Sequence, residues 1–122
     1  YFSMKNALIQ QAKPYYNHFM IAAIEDETLE KTMMAQVSQA LLLIKGCIAS
    51  FTIAKVKNNS NAVAVSARSD GSYNVQKIME KLNGGGHFSA AAVERADVSV
   101  QQMKDMILKC IEEEQNNESN IA

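Results

Sequence analysis

Apolar side chains recur every three or four residues in four segments of the chain, and this spacing predicts four helices. The predicted helices run from Met4 to about Lys13, from Thr28 to Ile44, from about Asn74 to Leu82, and from Ser99 to Ile111. Pro14 is expected to stop the first helix and Gly46 the second. Thr28 is placed to cap the second helix, and Ser99 with Gln102 has the spacing of a capping box for the last one.

Short apolar runs and alternating segments between these helices predict strands. The predicted strands are Phe19–Ile24, Cys47–Lys57, Ala62–Arg68 and the alanine-rich segment Ala90–Glu94. Asparagines and a serine at 58–61 favour a turn between the second and third strands, so we expect an antiparallel hairpin there. Because strands and helices alternate, the pattern predicts an α/β fold with a mixed sheet of about four or five strands and helices packed on it.

Composition narrows the classes of function without selecting one. A chain of 122 residues is long enough for one domain with a substantial core, and its formal net charge is −1. A near-neutral charge argues against a broad nucleic-acid surface but allows a local basic pocket. Cys47 and Cys110 lie in apolar stretches and are expected to be buried thiols, which fits a reducing, cytoplasmic setting. No apolar run approaches the ~20 residues that cross a bilayer, so no membrane contact is expected. Because the chain begins at Tyr1 rather than at a methionine, we expect it to be part of a longer protein.

Three consecutive glycines followed by a histidine, Gly84, Gly85, Gly86 and His87, form the most unusual segment. Glycine loses more conformational freedom on folding than any other residue, so such a run needs a compensating reason. Positive φ angles or the close approach of a ligand to bare main chain would supply one, and a nest of backbone N–H groups binds anions. The run also follows the third predicted helix, so it would equally serve as a helix cap and a turn.

A second group of polar residues lies at the end of the third predicted strand. Alternation places Ser66 and Arg68 on one face, and Ser69 follows directly. An arginine fork flanked by hydroxyls suits a phosphate, because its planar donors match two oxygens at once. The alternative is that Arg68 pairs with a surface carboxylate and that the serines satisfy turn backbone groups. No Cys/His cluster has the spacing of metal ligands and no nucleophile has a partner base, so we expect neither a metal site nor a catalytic residue in this chain.

These segments together resemble a known family. Their order and spacing are similar to those of the DHH-associated domain, which follows the catalytic DHH domain in phosphodiesterases of the RecJ superfamily; the matching segments are Ser66–Ser69, Tyr73–Met79, Gly84–His87 and Ala90–Ala92. Within that superfamily the sequence of these segments looks most like that of the membrane-anchored cyclic di-AMP phosphodiesterases of Gram-positive bacteria. Phe88-Ser89 after the histidine favours this branch over the oligoribonucleases, in which a basic residue usually follows. Asn83 departs from the pattern, since many members carry a fourth glycine there.

The resemblance implies a division of labour between two domains. The preceding DHH domain, which is not part of this chain, would hold two manganese ions and hydrolyse cyclic di-AMP to pApA, whereas this chain would bind substrate without cofactor or catalysis of its own. The implied substrate-binding residues are Gly84, Gly85, Gly86, His87, Arg68, Ser66 and Ser69, and Phe88 or Tyr73 is a candidate for stacking on an adenine. The domain would span residues 1–115, followed by a polar frayed tail over 116–122.

The resemblance also implies a cellular setting and leaves alternatives. The chain would be a cytoplasmic domain of a membrane-anchored bacterial protein involved in signalling. Its partners would be a cyclic dinucleotide or short oligonucleotide phosphate and the DHH domain, and a homodimer is allowed. The alternatives are a module of an oligoribonuclease or of a 3′-phosphoadenosine-phosphate phosphatase, and a non-catalytic RNA-binding module.

Overall fold

Helices cover both faces of a six-stranded sheet. The computed structural model describes the backbone of residues 2–121 and the side chains of these residues except 2, 3, 60 and 118–121. In this part of the chain the helices are α1 (Phe2–Gln10), α2 (Lys31–Leu41), α3 (Val75–Lys81) and α4 (Val100–Ile121). The strands are β1 (Lys13–Tyr15), β2 (Phe19–Leu29), β3 (Ala49–Val56), β4 (Asn59–Ser69), β5 (Gly85–His87) and β6 (Ala90–Arg95). They are ordered β1-β2-β3-β4-β6-β5, with β2 and β3 parallel and all other neighbours antiparallel.

The predicted α/β class and mixed sheet are confirmed, although the described residues form six strands rather than four or five. The two additional strands, β1 and β5, have three residues each and lie at the two edges of the sheet. Pro14 lies within β1, where an edge position tolerates the missing N–H. The predicted cap at Thr28 was wrong: Thr28 belongs to β2, which continues through a register shift after Ile24. The N-cap of α2 is Glu30, and it makes no side-chain capping hydrogen bond.

The predicted hairpin between the two central strands is confirmed, with a tighter turn. Val56 pairs with Asn59, so only Lys57 and Asn58 connect β3 to β4. Asn58 has φ of 73°, a left-handed conformation that asparagine adopts more readily than most residues. The turn therefore lies one or two residues before the centre of the predicted segment. Beyond it the two strands run antiparallel as far as the pair formed by Ala49 and Ser69.

Strand alternation divides the buried side chains into two clusters, one on each face of the sheet. Val63, Val65 and Ala67 of β4 belong to the cluster that packs against α3 and α4. Ala64 belongs to the other cluster, which packs against α1 and α2. Helix α2 packs on β3 and β4, and the sheet continues beyond it through β6 and β5. The result is three layers. Because α2 does not cover β6 and β5, the layer it forms ends above the sheet, and we call this edge of α2 the step.

Buried hydroxyl groups join α2 to the sheet beside this step. The Ser38 hydroxyl lies 2.7 Å from Thr52 Oγ1 and donates to the Ser66 carbonyl at 2.6 Å. Ser50 Oγ in turn donates to the Ser38 carbonyl at 2.6 Å. Ser38, Ser50 and Thr52 are fully buried, and buried polar groups of this kind are costly unless they are paired. The network therefore holds α2 in one position against β3 and β4.

The caps of the last two helices follow the local sequence. Asn74 caps α3 by accepting a hydrogen bond from the Lys77 N–H at 3.2 Å. Ser99 Oγ accepts from the Gln102 N–H at 3.0 Å, and Gln102 Oε1 accepts from the Ser99 N–H at 2.8 Å. This reciprocal pair confirms the predicted capping box. Helix α4 then runs as far as Ile121, while residue 122 and the side chains of 118–121 lie outside the described part. The domain boundary after residue 115 and the frayed tail stay predictions.

An acidic side chain of α4 joins it to α3. Glu114 accepts from Lys81 Nζ at 2.7 Å and lies 3.1 Å from Lys77 Nζ, and its side chain is only 13% exposed. The hydrogen bond from Lys81 and the charges of both lysines lower the pKa of the Glu114 carboxyl from its ordinary value. A carboxyl whose pKa is lowered by folding stabilises the fold above its unfolded pKa. That contribution is lost as the pH falls through its folded pKa.

We therefore expect Glu114→Gln to lower the free energy of unfolding at neutral pH by up to about 1 kcal/mol, the upper end for ion pairs near a surface. The difference from the unmodified chain should shrink on acidification and vanish once Glu114 is protonated in both states. Thermal unfolding followed from neutral to acidic pH measures it. Glu113→Gln is the matched control, because Glu113 is an exposed neighbour on the same helix. A pH-independent difference would show that Glu114 acts by packing alone.

Candidate functional site

A cleft of about 480 Å³ lies beside the first turns of α2, where the sheet continues past the helix. We call it the cleft; its lining residues are Lys31, Met34 and Ala35 of α2, Ala64, Val65, Ser66 and Arg68 of β4, Gly84, Gly85 and Gly86, and Ala90–Glu94 of β6. Its volume falls in the range of small-ligand sites, roughly 300–1,000 Å³. One wall is the first turn of α2, and the floor is the exposed face of the last three strands in the sheet order.

Strand register determines which side chains form the floor. Ala64 pairs with Glu94, Ser66 with Ala92, and Arg68 with Ala90, and all six share the face on which α2 lies. In the edge strand, Gly85 pairs with Ala92 and therefore shares that face as well. The middle of the floor thus consists of small residues, and charged side chains stand at its two ends.

The glycine run is divided between a helix cap and a strand, and Gly84 belongs to the cap. Asn83, with φ of 73°, takes the left-handed position after α3, and the Gly84 N–H donates to the Met79 carbonyl at 2.8 Å. Gly85 and Gly86 then continue into β5, which pairs with β6. Gly85 and Gly86 are therefore part of a strand rather than of the expected nest, although Gly86 has the positive φ that the sequence suggested.

Two of the three glycines are required by their neighbour β6. A Cβ on Gly84 would lie 2.5 Å from Val93 Cβ and would also collide with the Ala92 carbonyl oxygen. A Cβ on Gly86 would lie 2.5 Å from Ala91 Cα, and Gly86 has φ of 146°. A Cβ on Gly85 would meet nothing within 4 Å. The close approach that the sequence suggested is therefore made by the chain itself at Gly84 and Gly86, whereas the space beside Gly85 is open.

Arg68 stands at one end of the cleft with donors to spare. Its Nη1 donates to the Ala67 carbonyl at 2.8 Å, and no ion pair joins it to a carboxylate among the described residues. The surface ion pair considered as the alternative is therefore not found there. Partial burial lowers the pKa of the Arg68 guanidinium from its ordinary value, although an arginine stays protonated at any physiological pH. A partly desolvated cation without an internal counter-charge favours an anionic ligand.

The other predicted residues divide between the two faces. Ser66 is buried in the floor of the cleft beside Arg68. His87 is exposed and pairs with Ala90 on the same face, so its Cα lies two strands, or roughly 10 Å, from that of Arg68. Ser69 lies on the opposite face by alternation, and its hydroxyl accepts from the Gly71 N–H at 3.2 Å. The geometry thus brings Ser66, Arg68 and the glycine strand together, places His87 at the rim, and turns Ser69 away.

The two aromatic candidates have different surroundings. Tyr73 packs edge-on against Phe19, with ring centroids 4.9 Å apart, next to the cluster on the α3 and α4 side. Phe88 is 46% exposed at the tip of the β5–β6 hairpin. Of the two, only Phe88 presents its ring to a ligand or another domain.

Sequence reasoning missed two charged residues at the other end of the cleft. Lys31 Nζ forms an ion pair with Glu94 Oε1, which joins the first residue of α2 to β6. Glu94 is four residues along β6 from Ala90, the partner of Arg68, so this pair lies roughly 13 Å from the Arg68 end. No local pattern relates positions 31 and 94. The only feature of the sequence that pointed to this end of the cleft was a lysine at the start of a helix, where acidic residues are preferred.

The described residues contain neither a metal-binding cluster nor a membrane-spanning helix. No group of three or more His, Cys, Asp or Glu side chains is arranged to hold a metal ion. No helix in the same part of the chain is long and apolar enough to cross a bilayer. Cys47 and Cys110 are both buried free thiols, as expected.

A mixed sheet with helices on both faces, and a small cleft with a cationic end, define an α/β domain with a candidate binding cleft. The chain belongs to the DHHA1 domain family, whose pattern matches residues 17–116. It is 40% identical over 87 residues to the cyclic-di-AMP phosphodiesterase GdpP of Geobacillus thermodenitrificans, and the aligned region covers 71% of this chain and 13% of that protein. It is 35% identical over 112 residues to the cyclic-di-AMP phosphodiesterase PdeA of Listeria monocytogenes, which covers 91% and 17%. For GdpP of Bacillus subtilis the identity is 36% over 109 residues, covering 87% and 16%.

Solved structures share the fold at low sequence identity. An exopolyphosphatase-related protein from Bacteroides fragilis superposes with a TM-score of 0.71 at 16% identity, covering 92% of this chain and 34% of that one. The pGpG-specific phosphodiesterase PggH from Vibrio cholerae gives a TM-score of 0.61 at 18% identity, covering 88% and 38%. The chain thus spans between 13% and 17% of the length of the three curated relatives described above.

Proposed function

We propose that this chain is the substrate-binding domain of a cyclic di-AMP phosphodiesterase. The observation that carries the proposal is Arg68, a partly buried cation without a carboxylate partner among the described residues, at the end of a small cleft. Membership of the DHHA1 domain family and the names of the bacterial relatives support the choice of a cyclic dinucleotide.

Binding begins with a phosphate at Arg68. The planar guanidinium donates to two phosphate oxygens at once, and His87 approaches the same ligand from the rim. Gly85 lets the ligand approach the backbone closely, because no side chain stands between it and the cleft. The small side chains of Ala64, Ala90 and Ala92 leave a flat apolar surface for the less polar part of the nucleotide.

Catalysis belongs to another part of the protein. A preceding DHH domain would hold two manganese ions, which would supply the activation of water for hydrolysis of one phosphodiester bond. One water is consumed, and cyclic di-AMP becomes the linear dinucleotide pApA. This chain contributes orientation of the substrate, and the complete protein would be anchored in the bacterial membrane with this domain on the cytoplasmic side. A homodimer stays a prediction.

Ligand titration of the chain followed by amide chemical shifts tests the proposal. We expect cyclic di-AMP and pApA to shift the amides of Arg68 and Gly85, and we expect no manganese-dependent hydrolysis of either compound. A short RNA should bind no more tightly than pApA, because the net charge of −1 provides no basic surface for a longer backbone. Tighter binding of the RNA would favour the RNA-binding module instead. Turnover by the chain alone would contradict the division of labour.

A further inference from the structure

The ion pair between Lys31 and Glu94 closes the end of the cleft opposite Arg68. Lys31 is the first residue of α2, and Glu94 stands on the cleft face of β6 opposite Ala64. The side chains are 64% and 35% exposed, so both are accessible from the cleft and from solvent. The two charges cancel at this end, whereas the Arg68 end keeps one uncompensated positive charge.

The ion pair between Lys31 and Glu94 contributes little to the stability of the fold. A lysine at the first position of a helix opposes the helix dipole, and the acidic residue that favours the dipole here is the N-cap Glu30, outside the first turn of α2. Exposed ion pairs contribute little to stability. The charged atoms of Lys31 and Glu94 are instead placed where a ligand lying along the cleft from Arg68 would end.

We propose that Lys31 and Glu94 determine specificity in the cleft by selecting an uncharged hydrogen-bonding group and rejecting a second phosphate at this end. The proposal rests on the proposed function, since it assumes that a phosphate binds at Arg68. The Glu94 carboxylate accepts hydrogen bonds from amino groups of a nucleobase, and the Lys31 ammonium donates to ring nitrogen or carbonyl acceptors. A phosphate at the same place would gain from Lys31 but would be repelled by Glu94 at a similar distance.

Three probes and two substitutions test the proposal on the 122-residue chain. The probes are inorganic phosphate, adenosine 5′-monophosphate and adenosine 3′,5′-bisphosphate, each titrated at low ionic strength with amide chemical shifts as the readout. Glu94→Gln removes the repelling charge and keeps the size of the side chain. Lys31→Met removes the attracting charge and keeps most of the apolar stem.

Glu94→Gln is expected to raise the ratio of bisphosphate to monophosphate affinity by about fivefold, the effect of one unit charge at about 4 Å in water. Lys31→Met should lower the same ratio, because Glu94 is then unopposed. Both changes should shrink with added salt, since exposed charges are screened. In the unmodified chain the monophosphate should shift the amides at positions 31 and 94, and inorganic phosphate should shift only those near Arg68.

The neighbouring ion pair between Lys57 and Glu30 supplies a matched control. Its side chains are 55% and 60% exposed, Glu30 directly precedes Lys31, and the pair lies outside the cleft. Glu30→Gln should leave all three affinities unchanged. An affinity ratio that is the same in Glu94→Gln as in the unmodified chain would overturn this proposal alone. If Arg68→Ala leaves the binding of all three probes unchanged, or if none of the probes binds, both the proposed function and this proposal are overturned.

Discussion

Replacing Arg68 by alanine is expected to weaken the binding of a nucleotide phosphate by about 1.5–3 kcal/mol, roughly ten- to a hundredfold in affinity, the range for hydrogen bonds to charged groups. Arg68 stands at the end of the cleft, and among the described residues it donates only to the carbonyl of its neighbour Ala67. Most of its donors are thus available to a ligand. In a complete enzyme the same change should lower kcat/KM for cyclic di-AMP by a similar factor, because the substrate would be held less firmly for attack.

Two substitutions separate this role from a structural one. Arg68→Lys keeps the charge but loses the planar fork, so it should recover only part of the affinity. Arg95→Ala removes an arginine from the adjacent strand, where it pairs with Asp97 away from the cleft, and should leave binding unchanged. Isothermal titration with adenosine 5′-monophosphate measures the affinity of each variant, and thermal unfolding measures its stability. Unchanged affinity in a folded Arg68→Ala chain would show that the arginine is structural.

The placement of Arg68 could be predicted because strand alternation is a local property. Ser66 and Arg68 share a face whatever the rest of the chain does, once residues 62–68 form a strand. The same alternation turns Ser69 to the other face, although the sequence grouped it with Arg68 as a neighbour. In a bent turn its hydroxyl would have been free to follow, but β4 extends through Ser69 and fixes its direction.

The far end of the cleft could not be predicted in the same way. Lys31 and Glu94 are separated by sixty-three positions (94 − 31) and meet only because β6 pairs with β4 beneath the edge of α2. The hydroxyl network around Ser38 has the same origin, since it joins a helix to two strands. Such contacts depend on the order of strands in the sheet, which no spacing along the chain encodes.

The two edge strands were missed because three residues are too few to show a period of two. Lys13–Tyr15 contains a proline, and Gly85–His87 contains two glycines, so both read as turns by composition. Their pairing is imposed by longer neighbours: β2 extends beyond β1, and β6 extends beyond β5. The glycine run was therefore identified as important from its sequence, while the reason for it lay in the adjacent strand.

The same alanine substitution at three successive glycines is expected to destabilise the fold at two positions and to leave it nearly unchanged at the third. Gly84→Ala should destabilise the fold by about 1–3 kcal/mol, the usual cost of forcing an extra carbon into a packed region, because its Cβ would collide with Val93 and Ala92. Gly86→Ala should cost at least as much, since its φ of 146° is also disfavoured for a residue with a side chain. Gly85→Ala should leave stability nearly unchanged, because its Cβ meets nothing within 4 Å.

Gly85→Ala is therefore both the control for stability and the probe for binding. Its methyl group would project from the floor of the cleft in the row of Ser66 and Ala92, next to His87 on the same strand, and should weaken nucleotide binding in a fully folded chain. Thermal unfolding of the three variants, followed by titration of those that fold, distinguishes the roles. Equal destabilisation by all three would mean that the fold requires Gly85 as much as it requires Gly84 and Gly86. Binding by Gly85→Ala as tight as in the unmodified chain would mean that the ligand does not approach the backbone of β5, because a methyl group at that position would otherwise stand in its way.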